Sequence, residues 1–430
     1  MKINQVCLRT LELDHSSSLA TYESVGGYTV WRNILKTKPD RDKIIADIKA
    51  SGLRGRGGAG FSTGLKWSFM NKDPKVTKYL VCNSDEGEPG TCKDKLIMMH
   101  NPHQLLEGMA IACYAMGIET AYHYLRGEYL NSFASCEKAL QEAMDAGLLG
   151  ENILSSGLNV VIHNILGAGS YIVGEETAML ESLEGKRAMP RFKPPFPANY
   201  GLYGAPTAIN NTETLASVPY ILQYGAENFQ KLGTEKSGGT KIFCVSGHVE
   251  RPGSFEIPLG TPFKTLLEMC GGIRGGQKCK AVIPGGSSMK IIPGEQMLTL
   301  TMDYEAVSAA GSGLGSGGVI VMDDTTCMVE ALGNILHFYA NESCGQCSPC
   351  REGSSWVAKI VHDMLHGAGK PSDVEKLVYL AKNVEGRTIC AFGEAFAWPI
   401  LSFVQHFQAE FDYFVAHGRS MITGNTSSLV

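Results

Sequence analysis

The chain has 430 residues, 44% of them hydrophobic and 19% charged, with a net charge of −5. These values suit a globular protein of two or three domains and exclude disordered and fibrous classes, and the acidic balance argues against nucleic acid as the main partner. Thirteen cysteines and no export signal at the N-terminus point to metal or redox chemistry in a reducing compartment, so a cytoplasmic location is expected.

The first 39 residues read as an N-terminal extension. RDKIIADIKASGL then sets Ile44, Ile45 and Ile48 at helical spacing, with Gly52 as the stop. The glycine-rich stretch that follows, GLRGRGGAGFSTGLK, contains G-x-G-x-x-G at Gly55, Gly57 and Gly60. A dinucleotide-binding turn of the ordinary Rossmann kind needs a strand leading in, whereas here a helix does. FSTGLKWSFM predicts a short second helix. YLVC, Tyr79–Cys82, predicts a buried strand, and the loop NSDEGEPGT after it holds Asn83, Asp85, Glu86 and Glu88.

The stretch from Leu105 to Ile118 is the longest apolar run, too short to span a bilayer and interrupted by Glu107. ETAYHYLRGEY and LNVVIH predict strands, FASCEKALQEAMDAGLLG a helix, NILGAGSYIVG a loop, and EETAMLESLEG another helix. The alternation predicts an α/β domain with a mostly parallel sheet over 40–237. KIFCVSGHV, GSFEIP, KAVIPGG and KIIP predict short strands around one helix, FKTLLEMCGG, an α+β module over 238–324. Four periodic segments between Met328 and Ala416 predict an all-α bundle within 325–430.

CGQCSPC carries the most specific chemistry. Cys344, Cys347 and Cys350 can take three corners of a cubane cluster from one tight loop. Zinc is the alternative, but its usual second CxxC pair is missing. A fourth ligand must be remote: Cys390 in RTICAFGEAFAWP is the first candidate and Cys327 the second. Elsewhere, Glu175 and Glu176 open a helix, where acids also serve as ordinary dipole complements. Two glycine-rich loops, each opening a helix, offer places for phosphates. Lys66 and Lys193 could neutralise such phosphates, and Phe61, Phe69 and Phe196 could sandwich an adenine or flavin ring, although each also reads as a core aromatic.

GLRGRGGAGFSTGLKW, CNSDEGEPGT, GEETAMLESLEGKR, KPPFPA, NNTET and ESCGQCSPCREG, in that order, resemble the NADH-binding flavoprotein subunits of respiratory complex I. Less closely they resemble the diaphorase subunits of NAD-linked hydrogenases and formate dehydrogenases. Many of the latter carry an added thioredoxin-like or ferredoxin segment that this sequence lacks, which favours complex I. The resemblance implies a Rossmann-like FMN/NADH domain with a non-standard glycine-rich loop, a ubiquitin-like β-grasp domain and a C-terminal helical bundle with one 4Fe–4S cluster.

The same resemblance implies oxidation of NADH by hydride transfer to FMN. It also implies two partner subunits, a small thioredoxin-like 2Fe–2S protein and a large iron–sulfur protein, with the membrane reached only through the complex. The FMN contacts it implies are Gly55, Gly57, Gly58, Lys66, Asn83, Asp85, Tyr171, Gly174, Glu175, Asn210, Asn211 and Thr214. For NADH they are Phe61, Phe69, Phe196, Glu176 and Lys193, with Glu88 meeting the carboxamide side of the nicotinamide as the residue nearest the chemistry. The cluster ligands would be Cys344, Cys347, Cys350 and Cys390. Two departures from the pattern, Gly87 and Cys92, bring a looser loop at Glu88 and altered packing beneath it.

Overall fold

The computed structural model describes residues 2–426. Helices α1 (Leu19–Ser24), α2 (Thr29–Thr37) and α3 (Arg41–Ala50) precede the glycine-rich loop, and α4 (Thr63–Ser68) follows it. Strand β1 (Tyr79–Ser84), α5 (Lys93–His100), α6 (Pro102–Met116), β2 (Thr120–Leu125), α7 (Leu130–Asp145), β3 (Val161–Leu166), α8 (Glu176–Leu183), β4 (Thr207–Asn211), α9 (Thr212–Tyr224) and α10 (Ala226–Gln230) complete the first half.

The strands form a sheet ordered β3-β2-β1-β4, parallel throughout. From β1 the chain runs through β2 to β3 on one side and then crosses back to β4 on the other, so the strand order reverses between β1 and β4, where a crevice at the carboxyl ends is expected. Cys82 pairs with Asn210 and Asn83 with Asn211 at that edge.

The long apolar run is α6, a helix with all fifteen residues buried. Its one central charge has a reason: the Glu107 carboxylate accepts from the Tyr22 hydroxyl and from the backbone N–H groups of Tyr28 and Trp31 at 3.0 and 3.1 Å. The first 39 residues thereby enter the same core as α3 and α6, with Tyr22, Tyr28 and Trp31 fully buried.

The second sheet, ordered β6-β5-β9-β7-β8, is mixed. It comprises β5 (Thr240–Gly247), β6 (Gly253–Pro258), β7 (Cys279–Ile283), β8 (Ile292–Pro293) and β9 (Gly318–Asp323), with the short helices α11 (Phe263–Met269), α12 (Gly294–Met297) and α13 (Tyr304–Ala309). Strand β9, central in that sheet, has no counterpart among the strands read from the sequence.

Four helices close the chain: α14 (Met328–Glu342), α15 (Ser348–Leu365), α16 (Asp373–Val384) and α17 (Phe392–His417). α17 begins two residues after Cys390 and carries Pro399 inside. No helix among the described residues is long and apolar enough to cross a membrane.

Candidate active site

The glycine-rich loop is a compact turn. Gly55 N–H donates to Phe61 O at 2.7 Å, Arg54 and Ser62 form an isolated antiparallel bridge, and Arg56 N–H donates to Thr214 Oγ1 at 2.8 Å. The loop is thus pinned to α9 with its glycines facing the crevice. A Cβ on Gly57 would stand 3.1 Å from Asn211 Cβ. Gly58 has φ +137°, and a Cβ there would meet nothing within 4 Å, so it would project into open cavity.

Two cavities share Gly57, Gly58, Asn83 and Asn211 as a common wall. The larger, about 930 Å³, adds Gly55, Lys66, Asn210 and Thr214, and also Phe61, Phe69, Phe196, Glu176 and Lys193. The three phenylalanines are 48%, 54% and 55% exposed, which removes the core reading. The smaller, about 330 Å³, adds Asp85, Glu88, Tyr171, Gly174, Glu175 and Cys390. All the anticipated FMN residues therefore line one cavity or both. Glu88 stands apart from the other NADH candidates, on the smaller side.

Charge is arranged unevenly between the two. At the mouth of the larger cavity Lys193 lies 2.7 Å from Glu176 and 3.1 Å from Glu175, and Lys66 lies 3.3 Å from Glu176. Burial would raise Glu176, but Lys66 and Lys193 hold it below the usual carboxylate range. The helix start at α8 is already filled: Glu175 accepts from Thr177 N–H and Ala178 N–H, both at 2.9 Å. It is therefore no free phosphate seat, contrary to the sequence reading.

In the smaller cavity burial raises Asp85 to about 7 against the pull of Arg126. Glu88 is also raised by burial, although it accepts from Tyr171 Oη at 2.7 Å and from Ser288 N–H at 2.8 Å. The loop 285–288 that supplies Ser288 requires Gly286, at φ +99°, where a Cβ would fall 2.5 Å from the Glu88 side chain. At Gly87 a Cβ would approach Tyr171 to 3.2 Å, so its absence eases that packing.

The cysteine loop leaves α14 and enters α15. Cys350 is buried, and Cys344, Cys347 and Cys390 pack half-buried against the same core. Ile389 N–H points at Cys347 Sγ, 3.4 Å away, which brings the loop before α17 against the CGQCSPC turn. Cys327 sits at the opposite end of α14 from the cysteine loop, and that fifteen-residue helix is about 22 Å long at 1.5 Å per residue. Cys327 is too remote to complete the set.

Among known proteins, the F 2 version of the NADH-quinone oxidoreductase F subunit of Rhizobium meliloti (strain 1021) is 51% identical over 413 residues, covering 96% of this chain and 97% of that protein. The chain belongs to the F-subunit family of NADH-quinone oxidoreductases. The F subunit of Rickettsia bellii (strain OSU 85-389) is 48% identical over 401 residues, covering 93% of this chain and 96% of that protein.

Family models match residues 48–220 (Nuo51 FMN-binding domain), 242–292 (SLBB domain) and 330–413 (NADH-ubiquinone oxidoreductase-F iron-sulfur binding region). Among solved structures, an NAD+-reducing [NiFe]-hydrogenase in the H2-reduced state superposes with a TM-score of 0.82 at 35% identity. That match covers 90% of this chain and 64% of the hydrogenase chain.

The residues present fit the family's two groups. Asp85 Oδ2 is buried with no hydrogen-bond partner, an acceptor awaiting a donor such as a hydroxyl of bound FMN. The Gly58 cradle is open where any side chain would fill it. Burial pushes the Cys350 thiol up to about 11 and Cys390 up to about 12. Such thiols ionise at neutral pH only beside a cation such as iron. Among the described residues no three of His, Cys, Asp or Glu converge on a single ion.

Sequence reasoning missed the floor of the site. Lys93 is fully buried, 2.7 Å from Asp94 and 3.0 Å from Glu213, and it lines the smaller cavity. Burial alone would lower it; Asp94 and Glu213 more than reverse that and keep it charged. The sequence carries little signal for it, because Lys93 in GTCKDK follows the charged loop NSDEGEP and stands beside a second lysine, Lys95.

Proposed function

We propose that this chain is the electron-input subunit of an NADH-quinone oxidoreductase, binding FMN and NADH in the paired cavities and passing electrons singly to one 4Fe–4S cluster. The carrying observation is that Cys390 lines the same cavity as Asp85, Glu88 and Gly174, so cofactor cradle and cysteine loop share a wall. Bound FMN accepts a hydride as an electron pair and releases electrons one at a time to iron–sulfur centres.

The chain's residues bind and orient. Gly55, Gly57 and Gly58 let backbone approach the flavin, with Lys66 as a cation for its phosphate. Asn83, Asp85, Tyr171, Gly174, Glu175, Asn210, Asn211 and Thr214 complete the cradle. Phe61, Phe69 and Phe196 hold the adenine, Glu176 and Lys193 seat the dinucleotide, and Glu88 receives the carboxamide of the nicotinamide. No side chain need donate or accept a proton in hydride transfer; orientation at reacting distance suffices. Cys344, Cys347, Cys350 and Cys390 ligate the cluster.

The division of labour follows a Rossmann-like unit at 40–237 with the extension 1–39 packed on it, a β-grasp unit at 238–324 and the cluster-bearing bundle at 325–430. Partners are a thioredoxin-like 2Fe–2S subunit and a large iron–sulfur subunit, with cytoplasmic location and membrane association only through the complex. The hydrogenase likeness supports a second reading, a diaphorase subunit of an NAD-linked hydrogenase or formate dehydrogenase.

Anaerobic purification with flavin and iron supplied tests the proposal. FMN and an iron–sulfur chromophore, both reduced by NADH, are expected; zinc with neither flavin nor iron would overturn it. Co-purifying subunits decide between the two readings.

A further inference from the structure

Cys92, the residue before α5, lies apart from the cluster ligands and against strand β5. Its backbone N–H donates to Cys244 Sγ at 3.3 Å, and its own sulfur lies 3.6 Å from Ser254 Oγ. Ser254 faces Cys244 in the β5–β6 register, so the two sulfurs and the hydroxyl form one group. Cys92 is exposed, whereas Cys244 is buried at 3%.

We propose that Cys92 and Cys244 are an oxidisable dithiol site, closed to a disulfide by hydrogen peroxide, that ties the start of α5 to strand β5. The roles follow from their surroundings. The neighbouring Cys244 thiol, then Ser254 and Lys95, favour the thiolate of the exposed Cys92 and draw it down to about 6. Cys244, next to that thiolate and buried, is held well above the usual thiol range and keeps its proton.

Cys92 sulfur attacks one peroxide oxygen, the O–O bond breaks, and the departing hydroxide takes up a proton to leave as water. Cys244 sulfur then attacks the resulting sulfenic acid; the S–O bond breaks, the S–S bond forms, and the thiol proton leaves with the oxygen as a second water. Two electrons pass from the sulfurs to peroxide. The tie would fix residues 85–92, which bring Asp85 and Glu88 to the smaller cavity.

The experiment uses the full-length, cofactor-loaded protein, treated with hydrogen peroxide, alkylated and digested with trypsin without reduction. Peptides 79–93 and 242–264 should be recovered joined, with fragment ions placing the link at Cys92 rather than Cys82. Before oxidation, iodoacetamide should modify Cys92 on the order of ten-fold faster than Cys279, whose thiol burial pushes up to about 11.

Cys92→Ser should abolish the link, and Cys244→Ala should leave a Cys92 sulfenic acid that dimedone captures. Should Cys244→Ala fail to fold, wild type and Cys92→Ser still decide. Both thiols remaining alkylatable after peroxide, or Cys92 passing to sulfinic acid unlinked, overturns the proposal.

Discussion

Tyr171 donates its hydroxyl to Glu88 Oε2 at 2.7 Å, while Ser288 N–H approaches the other carboxylate oxygen at 2.8 Å. Residues from three separate parts of the chain thus fix one carboxylate at the edge of the smaller cavity. Glu88→Gln keeps the shape and removes the charge. NADH affinity should fall about ten-fold, roughly 1.4 kcal/mol, with bound FMN unchanged. Equilibrium titration with NADH, alongside flavin content, checks this; an unaltered NADH affinity would remove the assigned role.

Asp85 and Glu86 make the stability of the cofactor-free protein depend on pH. Burial raises each to about 7. A carboxyl group raised on folding binds protons more tightly in the folded state, so its contribution is complete below the unfolded pKa, about 4. It is lost as pH rises through about 7. Thermal midpoints of cofactor-free protein should therefore fall between pH 5 and 7.5. Asp85→Asn should lessen that fall by roughly 2–4 kcal/mol; an identical slope in the variant would sink the assignment.

Gly58→Ala separates folding from cofactor binding. Its φ of +137° makes any side chain strained, at roughly 1–3 kcal/mol, yet a Cβ meets no protein atom within 4 Å. The variant should fold with a lowered thermal midpoint and bind FMN at least about ten-fold more weakly. Flavin fluorescence quenching measures the binding, and wild-type affinity would show that the cofactor does not approach this loop.

The helix before the glycine-rich loop was legible because Ile44, Ile45 and Ile48 repeat at helical spacing and Gly52 ends the run. The CGQCSPC turn was legible because ligand spacing is local. Helix α6 was not read as a helix: buried on every side, it has no polar face and hence no period. Strand β9 escaped because its glycine-rich approach reads as loop, and its pairing with β5 joins residues more than seventy apart in the chain. Tertiary pairing also hid Lys93, whose role depends on Glu213 of α9. At Gly286 only the approach of the Glu88 side chain shows why no side chain fits there.

The fourth cluster ligand gives the most discriminating test. Cys390 meets the CGQCSPC turn through the Ile389 N–H to Cys347 Sγ contact and also lines the smaller cavity. Cys327 is buried at the far end of α14, where its neighbours are core residues. Cys390→Ser should remove or severely destabilise the cluster, seen as loss of iron and of its electron paramagnetic resonance signal. NADH should still bleach the bound flavin, because none of the residues assigned to NADH or hydride transfer depends on that sulfur. Cys327→Ser should keep full iron content. A Cys390→Ser protein with its cluster intact would move the ligand role elsewhere. Loss of flavin reduction with loss of the cluster would instead mean that the shared wall at Cys390 also holds the flavin site together.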